Sequence, residues 1–243
     1  MVRLFIVTFS YLAIAIVTVL AYCIQINGHT TLEISTRLPV LLAPANYAYI
    51  ILIFVIIWLA IWVIALWKQR KNSNSISYLQ TFLFALSSIF YVLATILWNK
   101  TEFILSISMF GLLVLTLAGL YFTYPVKDNK ISSRVPISFY FGWMTFLLIT
   151  NVSFTLTLNE WNGLGLSNQL WAVIFMTIGT AIALHIRFHH FDITYPSVFI
   201  WAYLAVAVQN SFDELLVTTA ALFLSGVMVV GILFIKKNPA YQK

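Results

Sequence analysis

The sequence predicts an all-α integral membrane protein, a polytopic bundle of about eight transmembrane helices. Three observations predict it. The 243 residues are 62% hydrophobic and only 8% charged, whereas a soluble domain carries about a quarter charged residues. Mean hydropathy is +0.97, so no ordinary water-facing surface can be assembled. The apolar residues also come in continuous runs of about 20, the length a helix needs to cross a ~30 Å hydrocarbon layer. Barrel strands would instead be ~10 residues long with alternating polarity. Each run must be helical, because no water is present in lipid to satisfy an open backbone.

The runs lie near residues 4–26, 47–67, 78–99, 103–124, 136–159, 168–188, 195–209 and 213–235. The first is too long for the apolar region of a secretory signal and long enough to span. The seventh is short: about 15 residues at 1.5 Å each give only ~22 Å. Its ends are nevertheless marked. Thr194 with Pro196 reads as a helix start. Ser211 to Glu214 has the spacing of a capping box opening the next helix. All 243 residues read as one transmembrane domain.

Charge sets the count and the orientation. With the N-terminus cytoplasmic and eight spans, eleven of the thirteen basic residues fall on the cytoplasmic side. They include Arg3, Lys68, Arg70, Lys130, Arg134, Arg187 and the C-terminal lysines. Five of the seven acids, Glu33, Glu102, Glu160, Asp213 and Glu214, fall outside. Seven spans would put the C-terminal lysines outside, against the positive-inside rule. The expected location is therefore the cell membrane, multi-pass, with both termini cytoplasmic. The net charge of +6 is dispersed in short loops rather than in aromatic-interleaved basic runs, so nucleic acid is not an expected partner. The lipid bilayer is.

The longest outer connector, residues 27–46, contains Pro39 and Pro44. Residues 38–45 are apolar without being helical. Two readings stand: a lid folded back over the bundle, or a segment lying among lipid headgroups.

No Asp, Glu, Lys or Arg falls in the middle of a run. Proton-coupled carriers and intramembrane hydrolases place ionisable groups there, so acid–base catalysis has little support. His185 and His189 are four apart and share a helix face, which makes them a metal-pair candidate. Arg187 beside them favours interfacial residues near headgroups instead, and no metal site is assigned. The single cysteine, Cys23, reads as a small buried hydrophobe. Trp67, Trp98 and Trp161 lie near run ends and read as interfacial belt residues. Trp58, Trp62, Trp143 and Trp201 lie deeper.

The fifth run carries the densest pattern. From Pro136 it passes through Tyr140 and Trp143 to Asn151, an amide near mid-span. An unpaired amide in lipid is costly, so this helix should face other helices, with any ligand beside it. Aromatic rings around an amide suit a flat, apolar ligand with polar edges.

The stretch with Pro136, Tyr140, Trp143 and Asn151 resembles the fifth helix of the TspO/MBR family, the tryptophan-rich sensory proteins. Upstream, Pro44 to Tyr49 resembles the proline-containing entry to that family's second helix. The resemblance implies a five-helix core over residues 1–160 and a three-helix C-terminal extension over 161–243, as in longer bacterial members. It implies a sensory or receptor protein that binds porphyrins and other hydrophobic, sometimes sterol-like, ligands beneath the loop joining the first two long helices. The positions it transfers are Pro44, Tyr47, Tyr49, Tyr140, Trp143 and Asn151. A tetrapyrrole is the expected ligand; no cofactor is required, and a homodimer is an allowed assembly. Transport of a neutral or amphipathic small molecule and porphyrin degradation are the alternative roles. The family's second helix carries Trp eight residues after its proline; Leu52 stands there in this chain, which predicts binding without turnover.

Overall fold

The computed structural model describes residues 1–25, 28–70, 76–126 and 128–235. Lys71, Lys127 and the C-terminal lysines, which carry part of the charge argument, lie outside them. Among the described residues there are nine α-helices and two short 3₁₀ turns. Eight helices are long: α1 (Val2–Cys23), α3 (Ile51–Lys68), α4 (Tyr78–Asn99), α5 (Phe103–Phe122), α6 (Arg134–Leu158), α7 (Asn168–His190), α8 (Thr194–Asn210) and α9 (Leu215–Phe234). The ninth, α2 (Thr31–Ser35), is a single turn inside the first connector. The chain is a polytopic helical membrane protein. Seven of the long helices, counting α3 with the 3₁₀ turn Asn46–Ile50 before it, are long and apolar enough to cross a bilayer. The remaining one, α8, is the short seventh run. Its 17 residues span about 25 Å.

Local signals place several ends. Ser77 and Gln80 form a reciprocal capping box at α4, and Thr30 with Glu33 does the same for α2, each satisfying two otherwise unpaired N–H groups. Pro136 sits in the first turn of α6, where the N–H it lacks would have had no helical acceptor. Thr194 opens α8 as expected. The expected capping box at Ser211 does not form. The Ser211 hydroxyl turns back to the Val208 carbonyl, and the Glu214 carboxylate accepts from Gln169 of α7. The helix starts only at Leu215, with no side-chain cap.

The helices pack as two connected groups. In the first, α1, α3, α6, α5 and α4 form a closed ring of neighbours in that order. In the second, α7, α8 and α9 all touch one another, and this trio joins the ring mainly through α6 and α8. α6 therefore has neighbours all round, and most of its length is buried. That explains a helix apolar on every side. The outward faces carry large apolar side chains such as Phe9, Ile53, Leu115 and Phe223, an exposed apolar surface that suits lipid and not water.

Two sequence expectations are corrected by packing. Cys23 is exposed on the bundle's surface, because it falls on the outward side of the last turn of α1. Arg134 is not a loop charge in water, and Arg187 does not lie open at the interface near headgroups. Arg134 is fully buried and Arg187 nearly so. Arg187 donates to the Ile232 and Ile235 carbonyls, satisfying the unpaired end of α9.

Candidate functional site

The connector between α1 and α3 folds back over the ring. Ile34, Val40, Leu42 and Ala45 are buried in it. Three hydrogen bonds tie it down: Asn99 Nδ2 to Thr31 Oγ1 at 2.8 Å, Asn210 Nδ2 to the Leu41 carbonyl at 2.9 Å, and the Ala45 N–H to the Ala205 carbonyl at 3.1 Å. Of the two readings of residues 38–45, this is the lid. Its apolar residues are outside a helix because they cap the bundle's interior.

Beneath the lid lies a small chamber of about 20 Å³ at the end of the five-helix ring, room for about one water. Four of the five ring helices and the turn leading into the fifth reach it. Tyr22 comes from α1, Tyr49 from the turn leading into α3, Tyr91 and Trp98 from α4, Phe110 from α5 and Asn151 from α6, with Thr31 and Ser35 of the lid above. Tyr91 is oriented by Thr18. The Thr18 hydroxyl donates to the Ile14 carbonyl, so the Tyr91 O–H donates to Thr18 Oγ1, at 2.7 Å.

The transferred positions separate. Tyr49 and Asn151 line the chamber. Trp143 and Tyr140 stand one ring behind. The Trp143 ring lies edge-on to Tyr49 at 6.0 Å, and Tyr140 edge-on to Tyr91 at 6.2 Å. Pro44 is buried in the lid. Tyr47 does not join them: it is half exposed on the outer surface, edge-on to Trp201 at 5.7 Å. The turn Asn46–Ile50 sends successive side chains to different sides, and Trp201 anchors that turn by donating to the Ala48 carbonyl.

Several polar atoms here are buried without a hydrogen-bond partner among the described residues: Tyr140 OH, Trp143 Nε1, Trp98 Nε1 and Asn99 Oδ1. Buried polar groups are usually paired, so their concentration around one chamber is notable. Trp98 has the position of an interfacial belt residue in the sequence. It is buried instead, packed between Phe103 and Phe154 at 4.9 and 5.1 Å. Its place at a run end hid that role, because the lid covers that end.

At the opposite end of α6 a second polar cluster is buried. Asp192, between α7 and α8, accepts from Tyr121 OH at 2.8 Å, Ser138 Oγ at 2.5 Å and the Thr194 N–H at 2.8 Å. Arg134 lies over the Tyr121 ring, 5.2 Å from its centroid. It donates to the carbonyls of Pro125 and His190 and to Asn129 Oδ1. The cluster connects α5, α6, α7 and α8. Nearby, the His185 and His189 rings lie 4.2 Å apart, and among the described residues no three His, Cys, Asp or Glu side chains group as metal ligands.

No curated protein and no solved structure matches the chain. A family model does: the one described as TSPO-like protein matches residues 4–234. With a five-helix ring roofed by the connector between its first two long helices, and nearly the whole chain inside that match, the protein belongs to the TSPO-like family.

Proposed function

We propose that the protein is a membrane sensor or receptor that holds a flat, hydrophobic, polar-edged ligand of the tetrapyrrole class at the lid end of the five-helix ring. The observation that carries this reading is the roofed chamber, with aromatic rings around it and unpaired polar edges beside it. Rings supply stacking surface, and the Asn151 amide and indole N–H groups supply directed hydrogen bonds. The closed chamber is far smaller than such a ligand, so binding requires the lid to lift. The lid is held by three hydrogen bonds and by the burial of Ile34, Val40, Leu42 and Ala45, and lifting it breaks both. Leu52 is buried in the core and brings no indole to the site, so the ligand is held without being transformed.

Titration of the purified protein with protoporphyrin should quench tryptophan emission saturably. Trp143→Ala and Asn151→Ala should each weaken the midpoint about tenfold, the value of one lost hydrogen bond or stacking contact of ~1.4 kcal/mol. The lid gives an independent check. In a Cys23→Ser background, Thr31→Cys and Asn99→Cys joined by a short reducible thiol cross-linker should abolish the signal, and reduction should restore it. An absent signal in the wild type, or one indifferent to all these changes, would overturn the reading.

The orientation belongs to the same proposal. Arg3, Lys68, Arg70, Lys130 and Arg134 cluster at the helix ends away from the lid, while Glu33, Glu102, Glu160, Asp213 and Glu214 lie at the lid end. By the positive-inside rule the lid faces outward. Phe212 is 90% exposed at that end. A cysteine there, Phe212→Cys in the Cys23→Ser background, should react with a membrane-impermeant maleimide on intact cells. Reaction only after permeabilisation would reverse the orientation.

A further inference from the structure

Outside the five-helix ring, a separate open groove of about 180 Å³ lies between the end of α6, the start of α7 and the outer edge of the lid. It is built by the way α6 stops. The Glu160 N–H donates to the Thr157 carbonyl and the Trp161 N–H to the Leu156 carbonyl, both at 3.1 Å. That pair of bonds is a Schellman closure, and it puts Glu160 in the left-handed position usually given to glycine or asparagine. Glu160 adopts it with φ 50°, at a conformational cost that glycine would avoid. The cost holds a carboxylate at the groove, where no described residue offers it a hydrogen bond or ion pair.

Three of the other lining residues are aromatic, beside the apolar Leu41 and Leu156 and the polar Ser153, Thr157 and Asn168. The Trp161 and Trp171 rings lie 4.8 Å apart at 58° and form a corner. Trp171 is held by its Nε1 donating to the Gly163 carbonyl at 2.7 Å. Gly163 has φ +64°, and a Cβ there would lie 3.2 Å from Trp171 Nε1, so any other residue would strain the turn and crowd the indole. Phe175 stands 5.6 Å from Trp171, and Pro39 of the lid is also part of the lining.

We infer that this groove recognises an organic ammonium group on a short apolar chain. Indole faces carry negative quadrupole density and attract a cation above them. The Glu160 carboxylate adds a full charge and disfavours anions. A small inorganic cation is usually held by several oxygens that include more than one carboxylate, and Glu160 is the one acid in this lining, whereas the indole walls suit a large, weakly hydrated cation. The same chemistry is found in the headgroup of a choline lipid and in a free quaternary amine. The groove shares the lid's Pro39 and Leu41 with the chamber's roof but no residue with the chamber's lining, so the inference does not rest on the tetrapyrrole reading.

The test uses the full-length protein in nanodiscs of phosphatidylglycerol, which carries no ammonium group. Choline should change tryptophan emission saturably, and 3,3-dimethylbutanol, which has its shape without its charge, should not. Glu160→Gln should raise the choline midpoint at least tenfold. Glu160→Gly should raise the thermal unfolding midpoint, because it relieves the left-handed backbone, and should still lose the choline response. A purely structural Glu160 could not give that combination. Repeating the titration in phosphatidylcholine nanodiscs identifies the source: a raised midpoint assigns the groove to the lipid headgroup, an unchanged one to a free solute. The inference is overturned if choline gives no saturable response in phosphatidylglycerol, if Glu160→Gln responds like the wild type, or if the neutral analogue binds equally well.

Discussion

Asp192→Ala is expected to destabilise the protein by about 3–5 kcal/mol, because it removes the shared acceptor of three buried donors. Asp192 is 1% exposed and three donors converge on it, from α5, α6 and the start of α8. Alanine leaves the Tyr121 and Ser138 hydroxyls and the Thr194 N–H without that acceptor, at a position closed off from the bundle's surface. Each unsatisfied buried group costs about 1–3 kcal/mol. Arg134, fully buried beside them, loses the one carboxylate in its cluster. Thermal unfolding in detergent, followed by tryptophan emission, measures the effect. Asp192→Asn, which keeps an acceptor oxygen, should fall between the wild type and alanine. The double variant Asp192→Ala with Arg134→Met should be less destabilised than the sum of its parts, since neither charge is then left alone. An Asp192→Ala midpoint within a degree of the wild type would show that the network carries no stability.

Gly179→Ala is expected to cost about 2–4 kcal/mol. Gly179 lies where α7 meets α8. A Cβ built on it would lie 2.5 Å from the Tyr203 hydroxyl and 2.8 Å from Phe199 Cε1, closer than side chains tolerate. Neither neighbour can yield freely. Tyr203 donates to the Met176 carbonyl at 2.6 Å, and Phe199 is fully buried and stacked on Tyr195 at 5.3 Å. Overpacking costs about 1–3 kcal/mol, and displacing Tyr203 from its acceptor adds about 1 kcal/mol. The same unfolding assay checks it. Adding Tyr203→Phe removes the nearer clash and should recover part of the loss. If Gly179→Ala folds as stably as the wild type, the helices can separate at little cost and the close packing is not required.

The helices themselves were legible because hydropathy is a local property. Runs of twenty apolar residues must be helical in lipid whatever their neighbours, and the short seventh run was recognisable by counting residues. The pattern of Tyr140, Trp143 and Asn151 pointed to α6 as the central helix, and α6 does sit at the junction of ring and trio. Where the reading failed, the deciding contacts were distant in sequence. Arg134 looked like a loop charge because it stands at the end of a span; only the Asp192 cluster, brought over by α7 and α8, puts it in the interior. Trp98 looked interfacial until the lid covered it. Tyr47 and Tyr49 are indistinguishable by composition, yet one faces Trp201 outside and the other the chamber, because a 3₁₀ turn separates their directions. The Ser211 capping box had the right residues, but Gln169 of α7 took its glutamate.

The sequence by itself determined the membrane class, the number of long helices and the family, since these follow from runs of residue types, the charges between them and a few short motifs, none of which needs a contact to be known. The tertiary structure alone decided the chamber under the lid, the buried charges at the other end and the aromatic corner beside Glu160. Each of these is assembled from segments far apart in the chain, and only packing brings their side chains within reach of one another.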